Sequence, residues 1–120
     1  ASGIAWGIVT NKRERFTNPL MRLLELDSRT PCIVSGDTTP EAKPSPLPLQ
    51  YACKVLGCAP EKTVYVGDDL RDIQAGRAAG CHTVAVAYGY LGHNGAPEAW
   101  AADRVVPTPR ALTAYLLRED

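Results

Sequence analysis

The sequence predicts an α/β domain: a doubly wound, three-layer parallel sheet with helices on its faces. Three observations predict it. Short, β-branched, apolar segments alternate with helical patterns along the whole chain. The central such segment, Thr63 to Val66, lacks a polar face, as a strand buried on both sides should. Turns rich in Gly, Pro, Asp and Thr separate the elements, and none is long enough to divide the chain. At 120 residues the chain makes one domain that buries about two-thirds of its unfolded surface.

Taken in order, Ile4 to Val9 (IAWGIV) reads as a buried strand ending at Thr10-Asn11. Arg13 to Leu26 has a helical pattern, with Phe16, Leu20, Leu23 and Leu24 as its apolar stripe. Pro19 is unfavourable inside a helix, so regular structure is expected from Asn18 with Pro19 at the first position. Cys32 to Ser35 is a short strand, followed by a Gly-Asp-Thr-Thr-Pro loop that carries Lys43. Alternating prolines keep KPSPLPL extended until a helix takes over, from Pro46 or Pro48 to Leu56, where Gly57 stops it. Thr63 to Val66 is the central strand, ended by Gly67. A helix follows from Leu70, with Gly80 as its stop. His82 to Val86 is the next strand and Ala87 to Pro97 a glycine-rich loop. Ala99 to Ala102 is a helical turn, Arg104 to Val106 a last strand, and Pro109 to Leu117 a closing helix.

Thirteen basic residues balance thirteen acidic ones, with no basic stripe, which argues against nucleic acid and membrane surfaces as partners. No apolar run is long enough for a membrane span, and no signal peptide is visible. Cys32, Cys53, Cys58 and Cys81 show no CxxC spacing, so reduced, packed thiols of a cytoplasmic protein are expected. His82 reads as structural, and His93 lies in a polar loop with no evident partner. Tyr88, Tyr90 and Trp100 read first as packing residues and second as a partner surface or active-site rim. The chain begins Ala-Ser-Gly and its single methionine is Met21, so processing or a longer parent protein is expected.

In open α/β sheets, ligands sit beyond the carboxyl ends of the strands. There Asp68, Asp69 and Asp72 crowd within five positions after Gly67. Such a cluster is costly unless a cation or hydrogen bonds offset the repulsion, and Mg2+ is a hard cation that suits it. The bland alternative is a helix cap with a solvated acid in the first turn. A parallel sheet brings this cluster together with Thr10-Asn11 and the Lys43 loop. Hydroxyl and amides for phosphate oxygens, a lysine, and carboxylates for Mg2+ are the parts of phosphoryl transfer.

Those residues, in that order, resemble the haloacid dehalogenase superfamily of phosphatases. Val9-Thr10-Asn11 looks like its second motif, Lys43-Pro44 its third and VGDDLRD, Val66 to Asp72, its fourth. KPSPLPL, DIQAGRAAG and YGYLG resemble the phosphoglycolate phosphatase branch. The resemblance covers essentially the whole chain and implies a Rossmann-like core. It implies that Thr10 and the Asn11 amide bind phosphate and that Lys43 stabilises the nucleophile and the transferring group. It also implies that Asp68 ligates Mg2+, that Asp72 supports the metal directly or through water, and that Asp69 is secondary. The substrate implied is a small phosphate monoester, 2-phosphoglycolate first and N-acetylmuramic acid 6-phosphate second. Leu47 departs from the acidic or small residue often found there, with little expected consequence.

The family's first motif, DxDxT, occurs nowhere in these residues, and neither does the helical cap that selects the substrate. The chain therefore reads as an incomplete core, residues 1–120, from the second motif onward, expected to be inactive alone and to bind Mg2+ weakly. The aspartyl-phosphate intermediate that the resemblance implies needs the missing aspartate. The resemblance also implies a slot about 4.8 Å from each neighbouring strand, between those ending at Thr10 and Gly67. Residues elsewhere in the protein, direct pairing of the flanking strands, or a strand from another molecule or homo-oligomer would fill it. Two rivals fare worse. A response-regulator receiver has its acids before Thr and Lys, the reverse of this order, and a nucleotide-binding module would need GxGxxG or GxxxxGK[ST]. A non-catalytic assembly domain is the remaining alternative for the chain alone.

Overall fold

The computed structural model describes residues 5–87 and 97–116. Strands and helices alternate as expected: β1 (Ile8–Val9), α1 (Glu14–Leu23), β2 (Ile33–Val34), α2 (Leu47–Leu56), β3 (Val64–Gly67), α3 (Leu70–Ala79), β4 (His82–Val86), β5 (Arg104–Val106) and α4 (Pro109–Leu116). A 3-10 turn at Pro97–Trp100 stands where a helical turn was expected from Ala99, and a second, Pro60–Lys62, has no counterpart in the expectations. Gly57 and Gly80 follow α2 and α3 with φ of 70° and 89°, the left-handed stops that their positions predict. No helix among the described residues is long and apolar enough to cross a membrane.

Among the described residues every ladder is parallel. Ile8 and Val9 pair with Ile33 and Val34, Val64 to Gly67 with His82 to Ala85, and Val84 to Val86 with Arg104 to Val106. The pairings form two separate sets, β1-β2 and β3-β4-β5. Among the described residues no ladder joins β1 to β3, so the strands ending at Thr10 and Gly67 do not pair directly. The alternation of β4 creates the layers. Ala85 packs with Ile73 and Trp100 on the α3 face, while Val84 and Val86 pack with Val106, Ala111 and Leu112 on the α4 face. The α2 helix holds the two sets of strands together. Its Leu49 and Cys53 pack with Ala75 and Cys81, its Ala52 with Cys32 and Val34, and Val9 touches both groups.

Among the described residues β1 and β2 pair over two residues each, shorter than the strands expected over Ile4 to Val9 and Cys32 to Ser35, and β3 is not buried throughout, since Val64 is exposed. Further expectations need correction. Gly67 does not end β3 but is its last paired residue, opposite Ala85. Helix α1 starts at Glu14, not Asn18, and keeps Pro19 inside it. The early start has a tertiary cause: Asp37 Oδ1 accepts from the Glu14 amide at 2.8 Å, and the Thr17 hydroxyl donates to the carbonyls of Lys12 and Arg13. The stripe Phe16, Leu20, Leu23 and Leu24 is exposed, and α1 instead buries Thr17 and Met21. All four cysteines are free thiols, three of them buried. Burial, reinforced by Cys53, pushes the Cys81 thiol up to about 12, so it behaves as packing. Trp100 is buried, in keeping with a packing role. Ile4, Tyr88, Tyr90, His93, the YGYLG loop and Leu117 lie outside the described residues.

Candidate active site

Parallel strands place their carboxyl ends on one edge, and that edge holds a cavity of about 370 Å3. It opens between β1 and β3, lined by Val9, Thr10, Lys43, Tyr65, Asp68 and Asp72 among others. Four of the six sequence-predicted residues thus meet in one place; Asn11 and Asp69 lie beside the cavity rather than on its wall.

Lys43 is the hub. Its Nζ lies 2.5 Å from Asp72 Oδ1, 2.8 Å from the Tyr65 hydroxyl and 3.3 Å from the Val9 carbonyl oxygen. The side chains of Lys43 and Asp72 are each only 9 % exposed. A buried pair of this kind is tolerable only where the remaining donors and acceptors are satisfied. Here they are. Asp72 Oδ2 accepts from the amides of Asp68 and Asp69 at 3.0 and 3.1 Å. Val9 belongs to β1 and Asp72 to α3, so the lysine and the tyrosine bridge the boundary that no ladder crosses.

Local chemistry places each partner. Asn11 holds the main chain of Lys43 at both ends of its amide, donating to the Lys43 carbonyl at 3.1 Å and accepting from the Lys43 amide at 3.0 Å. Its side chain is therefore committed to the lysine loop. Gly36 is required by close approach: a Cβ there would lie 2.2 Å from the Asn11 carbonyl oxygen. Gly67 is required likewise, since its Cβ would lie 2.2 Å from that of Asp72. Thr10 sits half-buried at the end of β1, its hydroxyl accepting from the Lys12 amide at 3.2 Å.

The three aspartates divide their labour. Asp69 caps α3, accepting from the Arg71 amide at 2.9 Å. That amide, with the Arg71 side chain, holds its carboxyl below the usual range. Asp72 returns the cap and pairs with Lys43. Asp68 is exposed, and its carboxylate takes part in no hydrogen bond among the described residues. The bland reading of the cluster, a cap in the first turn, therefore describes Asp69 and not Asp68. The exposed carboxylate of Asp68 offers oxygen donors of the kind a hard cation would take. Among the described residues no three acidic, His or Cys side chains converge to enclose a metal.

Tyr65 was not anticipated as a site residue. Its hydroxyl reaches the Val9 carbonyl at 3.3 Å and Asp72 Oδ1 at 3.4 Å, besides accepting from Lys43. Burial first, then the Asp72 charge, pushes its phenol well above the usual tyrosine range, so it stays protonated and donates. The available signal was a lone hydroxyl in an otherwise apolar strand, three residues before Asp68.

The chain is similar to known proteins. The family model described as haloacid dehalogenase-like hydrolase matches residues 1–86. An N-acetylmuramic acid 6-phosphate phosphatase of Pseudomonas aeruginosa is 44 % identical over 117 residues, covering 98 % of this chain and 52 % of the relative. A phosphoglycolate phosphatase of Xylella fastidiosa is 46 % identical over 112 residues, covering 93 % of this chain and 49 % of its own length. The crystal structure of a predicted phosphoglycolate phosphatase from Haemophilus somnus superposes with a TM-score of 0.81 at 30 % identity, over 95 % of this chain and 49 % of that one. The chain spans about half the length of the curated relatives it matches.

Proposed function

The chain belongs to the haloacid dehalogenase-like hydrolase family, and from that premise we propose that the whole protein is a Mg2+-dependent phosphatase acting on a small phosphate monoester. The observation that carries the proposal is the meeting of Thr10, Lys43 and Asp68 on one cavity at the carboxyl ends of the strands. Thr10 and the Asn11 amide hold the phosphate oxygens. Lys43, fixed in direction by its three partners, supplies positive charge where the transferring group gathers negative charge. Asp68 holds Mg2+, and Asp72 supports that site from behind by orienting the Asp68 amide and the Lys43 ammonium. When bound, Mg2+ neutralises phosphate charge beside Asp68. The nucleophile is an aspartate elsewhere in the whole protein. Its oxygen bonds to phosphorus as the ester oxygen departs, and water then hydrolyses the aspartyl phosphate.

The substrate proposed first is 2-phosphoglycolate. N-acetylmuramic acid 6-phosphate is the second reading, favoured by the Pseudomonas relative, whose match spans nearly the whole chain. A cytoplasmic location is part of the same proposal, supported by the free thiols of Cys32, Cys53, Cys58 and Cys81. The test is turnover of the full-length protein on a panel of phosphate esters with Mg2+. Hydrolysis of either ester is expected, with a loss on the order of a hundredfold or more in turnover for Lys43→Ala and for Asp68→Asn. Near-normal turnover of either variant at saturating Mg2+ would remove the roles assigned here.

A further inference from the structure

We propose that Tyr65 is a positioning residue for the Lys43 ammonium, an inference that rests on the phosphatase reading for its effect on turnover but not for its geometry. A lysine side chain is a flexible four-carbon stem ending in a compact charge with three donors. Among the described residues Lys43 has three acceptors within reach, and they come from three separate elements: Val9 in β1, Tyr65 in β3 and Asp72 in α3. Asp72 supplies charge, but its Oδ1 alone would let the ammonium swing about one contact. The Tyr65 oxygen adds a second fixed point at 2.8 Å. Its own proton has two acceptors at nearly equal distance, Val9 O and Asp72 Oδ1, both of which also hold Lys43. The hydroxyl is thus tied to the other two corners of the tripod, and the Tyr65 ring, with its centroid 5.5 Å from Nζ, closes one side of it. Preorganised charge stabilises a transition state because nothing has to reorient during reaction.

The variant that isolates the hydroxyl is Tyr65→Phe in the full-length protein, since it keeps the ring and its packing. With p-nitrophenyl phosphate as the probe, kcat is expected to fall about tenfold while KM changes less than about twofold. In a Lys43→Gln background the same change is expected to alter kcat less than about twofold, because the ammonium it acts through is gone. An equal fall in both backgrounds, or no fall in the wild-type background, would overturn the proposal. A second readout does not depend on hydrolysis. With nitrogen-labelled lysine, the Lys43 ammonium is expected to give a slowly exchanging resonance, assigned by its loss in Lys43→Gln. That resonance is expected to broaden away in Tyr65→Phe, and its persistence there would overturn the proposal. An inactive wild-type protein that still shows this behaviour would defeat the phosphatase reading alone.

Discussion

Asp72 and Asp103 are held by the same parts at opposite edges of the sheet. Asp72, at the carboxyl edge, accepts from two main-chain amides, pairs with Lys43 and lies against the Tyr65 hydroxyl. Asp103, at the amino edge before β5, accepts from the Thr83 amide at 2.7 Å and its hydroxyl at 3.1 Å. It lies 3.6 Å from His82 Nδ1, and the His82 Nε2 meets the Tyr115 hydroxyl at 2.7 Å. A carboxylate, a nitrogen-bearing partner, a phenol and a main-chain donor are present in both. Depth separates them: the Lys43 and Asp72 side chains are 9 % exposed, those of His82 and Asp103 46 % and 37 %. Charge–charge attraction grows as water is excluded, and so does the penalty for an unpaired member. The comparison teaches that similar constellations differ by depth and by the cavity beside one of them, and that only the deep one lies on the candidate site.

The widest difference should come from deleting the acids. Asp72→Ala leaves the Lys43 ammonium buried without its counter-charge and two amides without their acceptor. The expected loss in the full-length protein is about 3–5 kcal/mol, read from urea denaturation. A loss below about 1 kcal/mol would place this pair among surface ion pairs and break the comparison.

Crowding sharpens it next, because one glycine backs Asp72 and another backs the Thr83 that holds Asp103. A methyl on Gly67 would lie 2.2 Å from Asp72 Cβ, and one on Gly76 would lie 2.6 Å from Thr83 Cγ2, the residue that holds Asp103. Gly67→Ala is expected to cost about 1–3 kcal/mol and to lower turnover, since Asp72 must shift away from Lys43. Gly76→Ala meets a similar clash, but its place inside α3 returns about 1 kcal/mol of helix propensity. Its net cost should be smaller and its turnover unchanged. Melting curves beside kcat check both, and equal loss of turnover in the two variants would contradict the division between edges.

The sequence made the alternation of elements legible because apolar period and glycine stops are local signals. Hence β4 and β5 match to the residue, and α2 and α3 to within one. Lys43 and Asp68 were legible as candidates, and the structure brings both to one cavity. What stayed hidden acts across distance. The cap of α1 comes from Asp37, 23 positions along the chain, and the hydroxyl of Tyr65 points at Val9, 56 positions back. The commitment of Asn11 to the Lys43 main chain spans 32. Local spacing holds no trace of such partners. The α1 stripe misled for the related reason that periodicity reports an apolar face without saying what covers it.

The smallest expected effect tests the exposed half of the comparison. The Thr83 amide bond, with help from His82, holds the Asp103 carboxyl below the ordinary carboxylate range. A carboxylate depressed in the folded state contributes stability above its unfolded value, about 3.9, and loses it as pH falls through the folded value. Asp103→Asn keeps an oxygen for the Thr83 amide, so the buried main chain stays satisfied and only the charge is removed. Solvent screens that charge, and the variant should lose less than about 1 kcal/mol at neutral pH. The gap between wild type and variant should then close as pH drops below about 4. Denaturant midpoints of the two proteins across that range provide the measurement. A gap that stays constant would assign the loss to geometry rather than charge, and one as large as that of Asp72→Ala would mean that depth does not separate the two carboxylates.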